Sequence, residues 1–275
     1  MLLWWAPGIN GQEYSKEKVL RFAHFLYENE DFSRASYEYL RAYHLFKNSE
    51  SEKMELNLKI GRCFSFSNQP ENAKKYFEYC LRDNTPNTVY SKALIQMGFL
   101  LFKGGEYRES HLLLEEKKSS TSNNIINTLI LANVLCQGDT KKARELFTEY
   151  KKDGVSYIRA FDKYLDILSD FKYKSPLKAA IMSAILPGSG RIYAGRVKEG
   201  ILSMLSFFAT SYLAYEGFND GGIKSFKGWL FSSIGAFLYI GNIYGSVLSA
   251  RLINNQLRHG FNKGVEISLQ IYIND

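Results

Sequence analysis

Two patterns of apolar residues divide this chain. Between Lys16 and Lys152, apolar and polar positions alternate at helical spacing, so that each segment has one apolar face and one charged face. From Lys174 to Asn255, apolar residues instead run together with few charges between them. The first pattern is typical of helices packed in water and the second of helices in lipid. The sequence therefore predicts an all-α protein, with a helical domain at residues 16–171 followed by a membrane domain at residues 172–258.

A spacing of twelve recurs four times in the first region. A small or flat residue is followed twelve positions later by another, and a bulky residue comes four positions after the second. The sets are Ala23, Ala35 and Tyr39; Gly61, Ala73 and Phe77; Gly98, Ser110 and Leu114; and Leu131, Ala143 and Phe147. Small residues let two helices cross closely and large ones fill the seam, so each set predicts a pair of antiparallel helices.

The repeated unit has a nearly constant length. Units recur after 38, 37 and 33 residues, counted between Ala35, Ala73, Ser110 and Ala143. Asp153-Gly154 breaks the series, and residues 157–171 then have the pattern of one amphipathic helix that caps the stack.

This pattern resembles tetratricopeptide repeats, in four degenerate copies over residues 16–152, with Pro86 near the expected end of the second copy. The resemblance implies a solenoid of helix pairs whose concave surface binds a peptide or a partner helix.

The second region contains two apolar segments long enough to be membrane spans, and a third that is interrupted. Residues 229–250 form 22 residues without a formal charge, which at about 1.5 Å per residue crosses a hydrocarbon core of about 30 Å. Residues 200–218 give a second, shorter span. Residues 177–194 contain Pro187-Gly188, which interrupts a helix, so a kinked span or a half span is expected there. The prediction is two to three spans.

Two short motifs lie in this region, and they resemble a family of bacterial envelope proteins. In that family a repeat domain precedes a membrane domain with a Pro-Gly-x-Gly-Gln-x-Tyr-x-Gly-Arg motif and a later Gly-Asn-Ile-Tyr-Gly segment. The matching residues are Pro187, Gly188, Gly190, Tyr193, Gly195 and Arg196, then Gly241, Asn242, Tyr244 and Gly245. Arg191 departs from the family, which has Gln there. A looser similarity connects the first motif to two-span TM2-like domains. The resemblance implies a membrane location and no particular activity.

The charge distribution supports a membrane partner. The net charge of +7 divides into +1 for residues 1–170 and +6 for the remainder. Positive charge close to predicted spans suits acidic lipid headgroups rather than nucleic acid. Two full spans would place the repeats in the cytoplasm by charge, whereas three spans give little charge bias. Because the family resemblance implies an exported repeat domain, we predict a bacterial inner-membrane protein with periplasmic repeats.

The two ends of the chain carry their own predictions. Residues 1–15 have an apolar patch followed by Pro7-Gly8, which indicates either the remnant of a signal peptide, with the true start upstream, or a disordered N-terminus. In the tail at residues 259–275, apolar residues alternate with polar ones at Val265, Ile267, Leu269, Ile271 and Ile273. That alternation predicts a β-strand at residues 264–274 that pairs with a partner or with a second copy of the chain, the alternative being a disordered tail.

Candidate chemistry is sparse. Cys63, Cys80 and Cys136 have no metal-ligand spacing, and the four histidines form no recognisable motif, so no catalytic, cofactor or metal residue is predicted. Gly241, Gly245 and Ser249 recur every four residues and share one helix face, which would let another helix approach. The predicted function is a membrane-anchored scaffold or assembly adaptor that binds a protein partner through its repeats and is not an enzyme. The alternative is a small transport or lipid-handling component that the repeats recruit.

Overall fold

The computed structural model describes residues 15–82, 87–117 and 124–273, and every regular element within these ranges is helical. The all-α prediction is therefore confirmed. The chain divides into two compact units. Unit 1 is Met1–Leu168 together with Val265–Asp275, and unit 2 is Ser169–Gly264. Residues 1–14 of the predicted signal remnant and Pro86 lie outside the described residues.

Unit 1 is built mainly from eight helices joined in pairs. They are α1 (Lys16–Glu28), α2 (Phe32–Leu45), α3 (Glu50–Phe66), α4 (Pro70–Leu81), α5 (Thr88–Lys103), α6 (Tyr107–Lys117), α7 (Asn124–Gln137) and α8 (Thr140–Lys152). Local sequence sets several starts. The Asp31, Asn87 and Asp139 side chains each accept a hydrogen bond from a first-turn amide, and Ser49 and Glu52 form a reciprocal capping box.

The small residues of the twelve-residue spacing lie where paired helices cross. A Cβ added to Gly61 on α3 would lie 2.6 Å from the Phe77 ring on α4. One added to Gly98 on α5 would lie 2.9 Å from a Leu114 methyl on α6. The predicted repeat-packing residues Ala23, Ala35, Gly61, Ala73, Gly98, Ser110 and Ala143 are all buried. Close crossing of the helices thus depends on a small side chain, or none, at these positions.

The predicted cap over residues 157–171 is two elements rather than one helix. A 3₁₀ segment (Ser156–Phe161) precedes α9 (Asp162–Ser169). Gly154 has a φ of +76°, so the chain turns sharply after α8 and enters this segment at a new angle. Phe161, Leu165 and Leu168 are buried, which fixes the segment against the rest of unit 1.

Unit 2 contains α10 (Pro176–Ile185), the short α11 (Ser189–Tyr193), α12 (Val197–Gly221) and most of α13 (Phe226–Ile273). The break between α10 and α11 falls at Leu186–Gly188, so residues 177–194 are interrupted as predicted. Among the described residues, α13 is the helix both long and apolar enough to cross a membrane by length and composition. The 25-residue α12 covers the predicted span 200–218 but falls below that level of apolarity.

The predicted β-strand at residues 264–274 is wrong, because these residues up to Ile273 continue α13 as a helix. The buried positions Val265, Ser268, Leu269 and Ile273 follow helical spacing, whereas Ile267 and Ile271 are exposed. The Ser268 hydroxyl lies 3.0 Å from the Tyr164 hydroxyl of α9, within unit 1. A single strand in a helical protein has no neighbouring strand to pair with, whereas a helix forms its backbone hydrogen bonds internally. The sequence pattern is compatible with both, and packing against unit 1 favours the helix.

Candidate functional site

The Pro-Gly motif forms the tight turn that joins α10, α11 and α12. Gly188 has a φ of +94°, a conformation that other residues rarely adopt. A Cβ at Gly188 would overlap the Gly200 carbonyl oxygen, and one at Gly190 would overlap the Ala179 carbonyl oxygen. Both glycines therefore permit main chain to approach main chain, which no rotamer change could replace.

A chain of hydrogen bonds connects this turn to α13. The Gly190 amide donates to the Ser183 hydroxyl over 3.0 Å, and the Ser183 and Ser246 hydroxyl oxygens are 2.6 Å apart. Ser246 in turn donates to the Asn242 carbonyl over 2.8 Å. Because the Ser246 proton is used in that bond, Ser183 is the donor to Ser246. The buried chain orients α10, α11 and α13 relative to one another within unit 2.

Tyr193 and Arg196 make the side-chain contacts of the second half of the motif. The Tyr193 hydroxyl accepts a hydrogen bond from the Ser175 amide over 3.1 Å, and the Lys174 ammonium lies 5.0 Å from the centre of its ring. Arg196 forms an ion pair with Glu199 and lies 3.5 Å from the Ser249 hydroxyl. Gly195, with a φ of +91°, makes the turn between α11 and α12. These contacts stabilise the turn and do not form a reactive site.

The second motif, Gly241 to Gly245, lies within α13, and its residues have different surroundings. Tyr244 is 65% exposed, and a Cβ at Gly241 would meet open space. Asn242 is 4% exposed, and Gly245 faces the Arg191 guanidinium, whose Cζ would lie 3.0 Å from an added Cβ. The space beside Gly245 is thus occupied by the Arg191 side chain and not by the backbone of another helix. The sequence had predicted the close approach of another helix at this face.

The close helix approach predicted for α13 occurs elsewhere, near its start. A Cβ at Gly217 of α12 would lie 2.8 Å from the Gly228 Cα of α13. Sequence reasoning missed this contact, since Gly217 and Gly228 are eleven residues apart across a turn and share no repeat. The pairing of one glycine on each helix near a short connection could have indicated it.

A cavity of about 310 Å³ lies beside Arg191 in unit 2. Its lining residues are Arg191, Leu202, Ser203, Ser206, Phe237, Leu238, Gly241 and Asn242. The Arg191 Nε and the Asn242 Oδ1 are both buried without a hydrogen-bond partner. The cavity therefore brings Arg191 of the first motif together with Asn242 of the second motif, an association that the sequence did not predict.

Unit 1 has a second notable surface, which we call the basic–aromatic stripe and define as His24, Tyr27, Lys59, Arg62 and Phe66. It runs along α1 and α3. The His24 Nε2 lies 3.1 Å from the Lys59 Nζ, and the Arg62 guanidinium stacks 5.5 Å from the Tyr27 ring centre and 6.0 Å from that of Phe66. The stripe can offer cations and flat apolar faces to one ligand.

Electrostatics at the stripe keep His24 neutral near pH 7. Burial lowers the pKa of His24, and the Lys59 ammonium lowers it further. Burial likewise lowers the pKa of Lys59. With Lys59 donating to Nε2, the ring carries its proton on Nδ1 and donates it to the Tyr39 hydroxyl, 3.1 Å away. The exposed histidine thus connects α1 to α2 and α3 through hydrogen bonds.

The cysteines are buried in the helical core. Burial raises the pKa of the Cys63 and Cys80 thiols to about 12, so both remain protonated at neutral pH. In the described parts of the chain, no group of three or more acidic, histidine or cysteine side chains is placed to hold a metal ion.

Comparison with known protein families, with curated proteins and with solved structures finds no significant match to this chain.

Proposed function

We propose that this protein is a membrane-anchored tetratricopeptide-type scaffold or assembly adaptor of a bacterial cell envelope. The supporting observation is that one chain combines a series of close-crossing helix pairs, carrying the basic–aromatic stripe, with the long apolar helix α13. Helix-pair repeats present extended surfaces for peptides or partner helices. The apolar helix would hold that surface beside the membrane.

Burial indicates which part of unit 1 is available to a partner. In α7 a continuous run from Thr128 to Cys136 is buried, so this helix presents little open surface. The stripe on α1 and α3 is open by contrast, with Phe66 41% exposed and Lys59 and Arg62 half-buried. The Arg62 Nε has no hydrogen-bond acceptor among the described residues. A partner segment with carboxylates next to an aromatic or aliphatic side chain would complement it.

The test is crosslinking and affinity purification of the full chain from membranes. The double variant Lys59→Glu/Arg62→Glu reverses the charge of the stripe and should remove the captured partner. Lys75→Glu is the matched control, since Lys75 is exposed on α4, away from the stripe. Equal recovery of the partner by all three proteins, each folded by circular dichroism, would refute a partner site at the stripe.

The proposed placement of the repeats is periplasmic, in the bacterial inner membrane. Protease added to spheroplasts should then digest residues 16–170. Protection of this region, with digestion only after the membrane is opened, would instead place the repeats in the cytoplasm.

A lipid-handling membrane component is the second candidate function. It is favoured by the cavity beside Arg191, because an unpaired cation among apolar helices is typical of a ligand site in a membrane protein. The two candidates differ in a measurable way, since only the lipid-handling component requires the cavity beside Arg191.

A further inference from the structure

The cavity of unit 2 holds an uncompensated positive charge. Arg191 takes part in none of the ion pairs seen in the described part of this unit, such as Arg196 with Glu199 and Lys227 with Glu216. The Arg191 guanidinium lies against Gly245, and its Nε has no acceptor among the described residues. Burying one N–H of a guanidinium without an acceptor is costly, and the cost rises further within an apolar region. The arrangement would be relieved by an anion from outside the chain.

The other polar groups of the cavity suit an oxyanion. Asn242 lies three residues before Gly245, on the same side of α13, and its side-chain amide is buried with one end unpaired. Since the two ends of an amide are assigned from hydrogen bonding, this end can supply a donor to a ligand. Ser203 and Ser206 add hydroxyl groups from α12. A guanidinium fork with amide and hydroxyl donors is the usual environment of a phosphate group.

The rim of the cavity indicates where the anion comes from. Leu202 and Phe237 line it and are 66% and 79% exposed, on two helices of largely apolar composition. The cavity also lies beside Gly241 and Asn242, inside the uncharged run 229–250 that is expected to lie in lipid. A molecule bound in the cavity would contact apolar side chains at the opening, which suit acyl chains, and polar groups in the interior. About 310 Å³ accommodates a headgroup, while chains would extend over the rim.

We propose that this cavity binds the phosphate of an anionic phospholipid, with Arg191 pairing with the phosphate oxygens and Asn242 donating to them. The acyl chains lie along Leu202 and Phe237. The inference concerns unit 2 alone and goes beyond the scaffold function, so lipid binding can fail while partner capture by the stripe persists, and the reverse.

The test measures lipid binding to the full chain in detergent, by native mass spectrometry with titrated phosphatidylglycerol. Phosphatidylcholine is the zwitterionic comparison, and inorganic phosphate and oleate are the two alternative anions. We expect phosphatidylglycerol to bind most tightly. Arg191→Gln, which places the residue of the resembling family here, should weaken that binding at least about tenfold, the effect of losing one charge-assisted hydrogen bond.

Two further variants separate a specific site from general attraction to lipid. Arg251→Gln removes a positive charge at an exposed position at the end of the uncharged run, and should leave binding within about twofold. Asn242→Asp supplies an internal carboxylate beside Arg191, so it should weaken phosphatidylglycerol binding while leaving the melting temperature at or above that of the wild type. Loss of binding together with retained stability excludes misfolding as the cause.

Several results would overturn the proposal. Equal weakening by Arg191→Gln and Arg251→Gln would mean that lipid binds to general surface charge. Phosphatidylcholine binding as tightly as phosphatidylglycerol would remove the requirement for an anionic lipid. Displacement of phosphatidylglycerol by millimolar inorganic phosphate would identify an aqueous anion as the ligand, and tighter binding of oleate would identify a carboxylate.

Discussion

The two units use glycine at helix crossings in different ways. In unit 1, a Cβ at Gly61 or Gly98 would meet side-chain atoms, the Phe77 ring and the Leu114 methyls. In unit 2, a Cβ at Gly190 would meet the main chain of α10, and one at Gly217 the main chain of α13. Unit 1 therefore closes these crossings with large side chains. Unit 2 brings backbone against backbone at Gly190 and Gly217, although Gly228 and Gly245 there face the side chains of Phe218 and Arg191.

The difference follows from what drives packing in each unit. Burying a large apolar side chain such as Phe77 stabilises a helix pair in water, so a gap left by glycine is filled by such a side chain. In the membrane setting proposed for unit 2, lipid would offer no comparable gain, and helices would associate by close backbone approach and by polar groups such as the Ser183–Ser246 pair. We therefore expect unit 2 to tolerate added volume less well than unit 1.

The largest expected effect comes from Gly190→Ala. The new methyl group would overlap the Ala179 carbonyl, which cannot rotate away, so the cost should exceed the roughly 3 kcal/mol of ordinary overpacking. We expect loss of assembled unit 2, measured as protein recovered from detergent by size-exclusion chromatography. The matched control is Gly241→Ala, where the methyl meets open space. Comparable recovery of both variants would contradict the backbone-contact account.

Leu269→Ala tests whether the tail belongs to unit 1 as a helix. Leu269 is fully buried, so its truncation should destabilise the protein by about 2–5 kcal/mol, read from chemical denaturation. Ile271→Ala is the control, because Ile271 is 61% exposed in the helix although a strand would place both residues on the same face. Equal effects of the two variants would favour the strand.

Gly61→Ala tests a contact in unit 1 that is made by a side chain, which can adjust more easily than the main chain at Gly190. Overpacking against Phe77 costs about 1–3 kcal/mol, and alanine returns about 1 kcal/mol of helix propensity, so a net loss of up to about 2 kcal/mol is expected. Adding Phe77→Leu should restore part of the stability, which would appear as a positive coupling in a double-mutant cycle. Additive effects would show that Gly61 and Phe77 do not share one gap.

The smallest expected effect is a pH dependence confined to unit 1. Burial and a nearby lysine lower the pKa of both His24 and His111, with Lys142 beside His111 at 2.9 Å. As pH falls below about 6.5, the unfolded chain takes up protons that the folded chain resists, so stability decreases towards the lower folded pKa values. The melting temperature of the unit 1 transition should drop between pH 7 and 5, and His24→Gln/His111→Gln should reduce the drop. An unchanged slope in that variant would assign it to other groups.

Local pattern was enough to predict most helices but not their surroundings. The spacing of Gly61 and Phe77 predicted a close crossing that the structure contains. The alternation from Val265 to Ile273 predicted a strand, because five β-branched or leucine residues at every second position also leave Val265, Leu269 and Ile273 on one helical face. No local signal distinguishes the two periods when the apolar residues satisfy both. The cavity beside Arg191 required residues more than fifty positions apart to meet, which a single sequence does not indicate.

The sequence by itself determined the all-α class, the helix pairs and the long apolar helix, because each depends on composition and on spacing within about forty residues. Tertiary structure decided that the tail returns to unit 1 as a helix, that Arg191 lies on Gly245, and that Gly217 meets Gly228. These outcomes depend on which surfaces remain uncovered once the helices pack. Burial of the remaining apolar faces and the placement of unpaired polar groups then select among local alternatives of similar free energy.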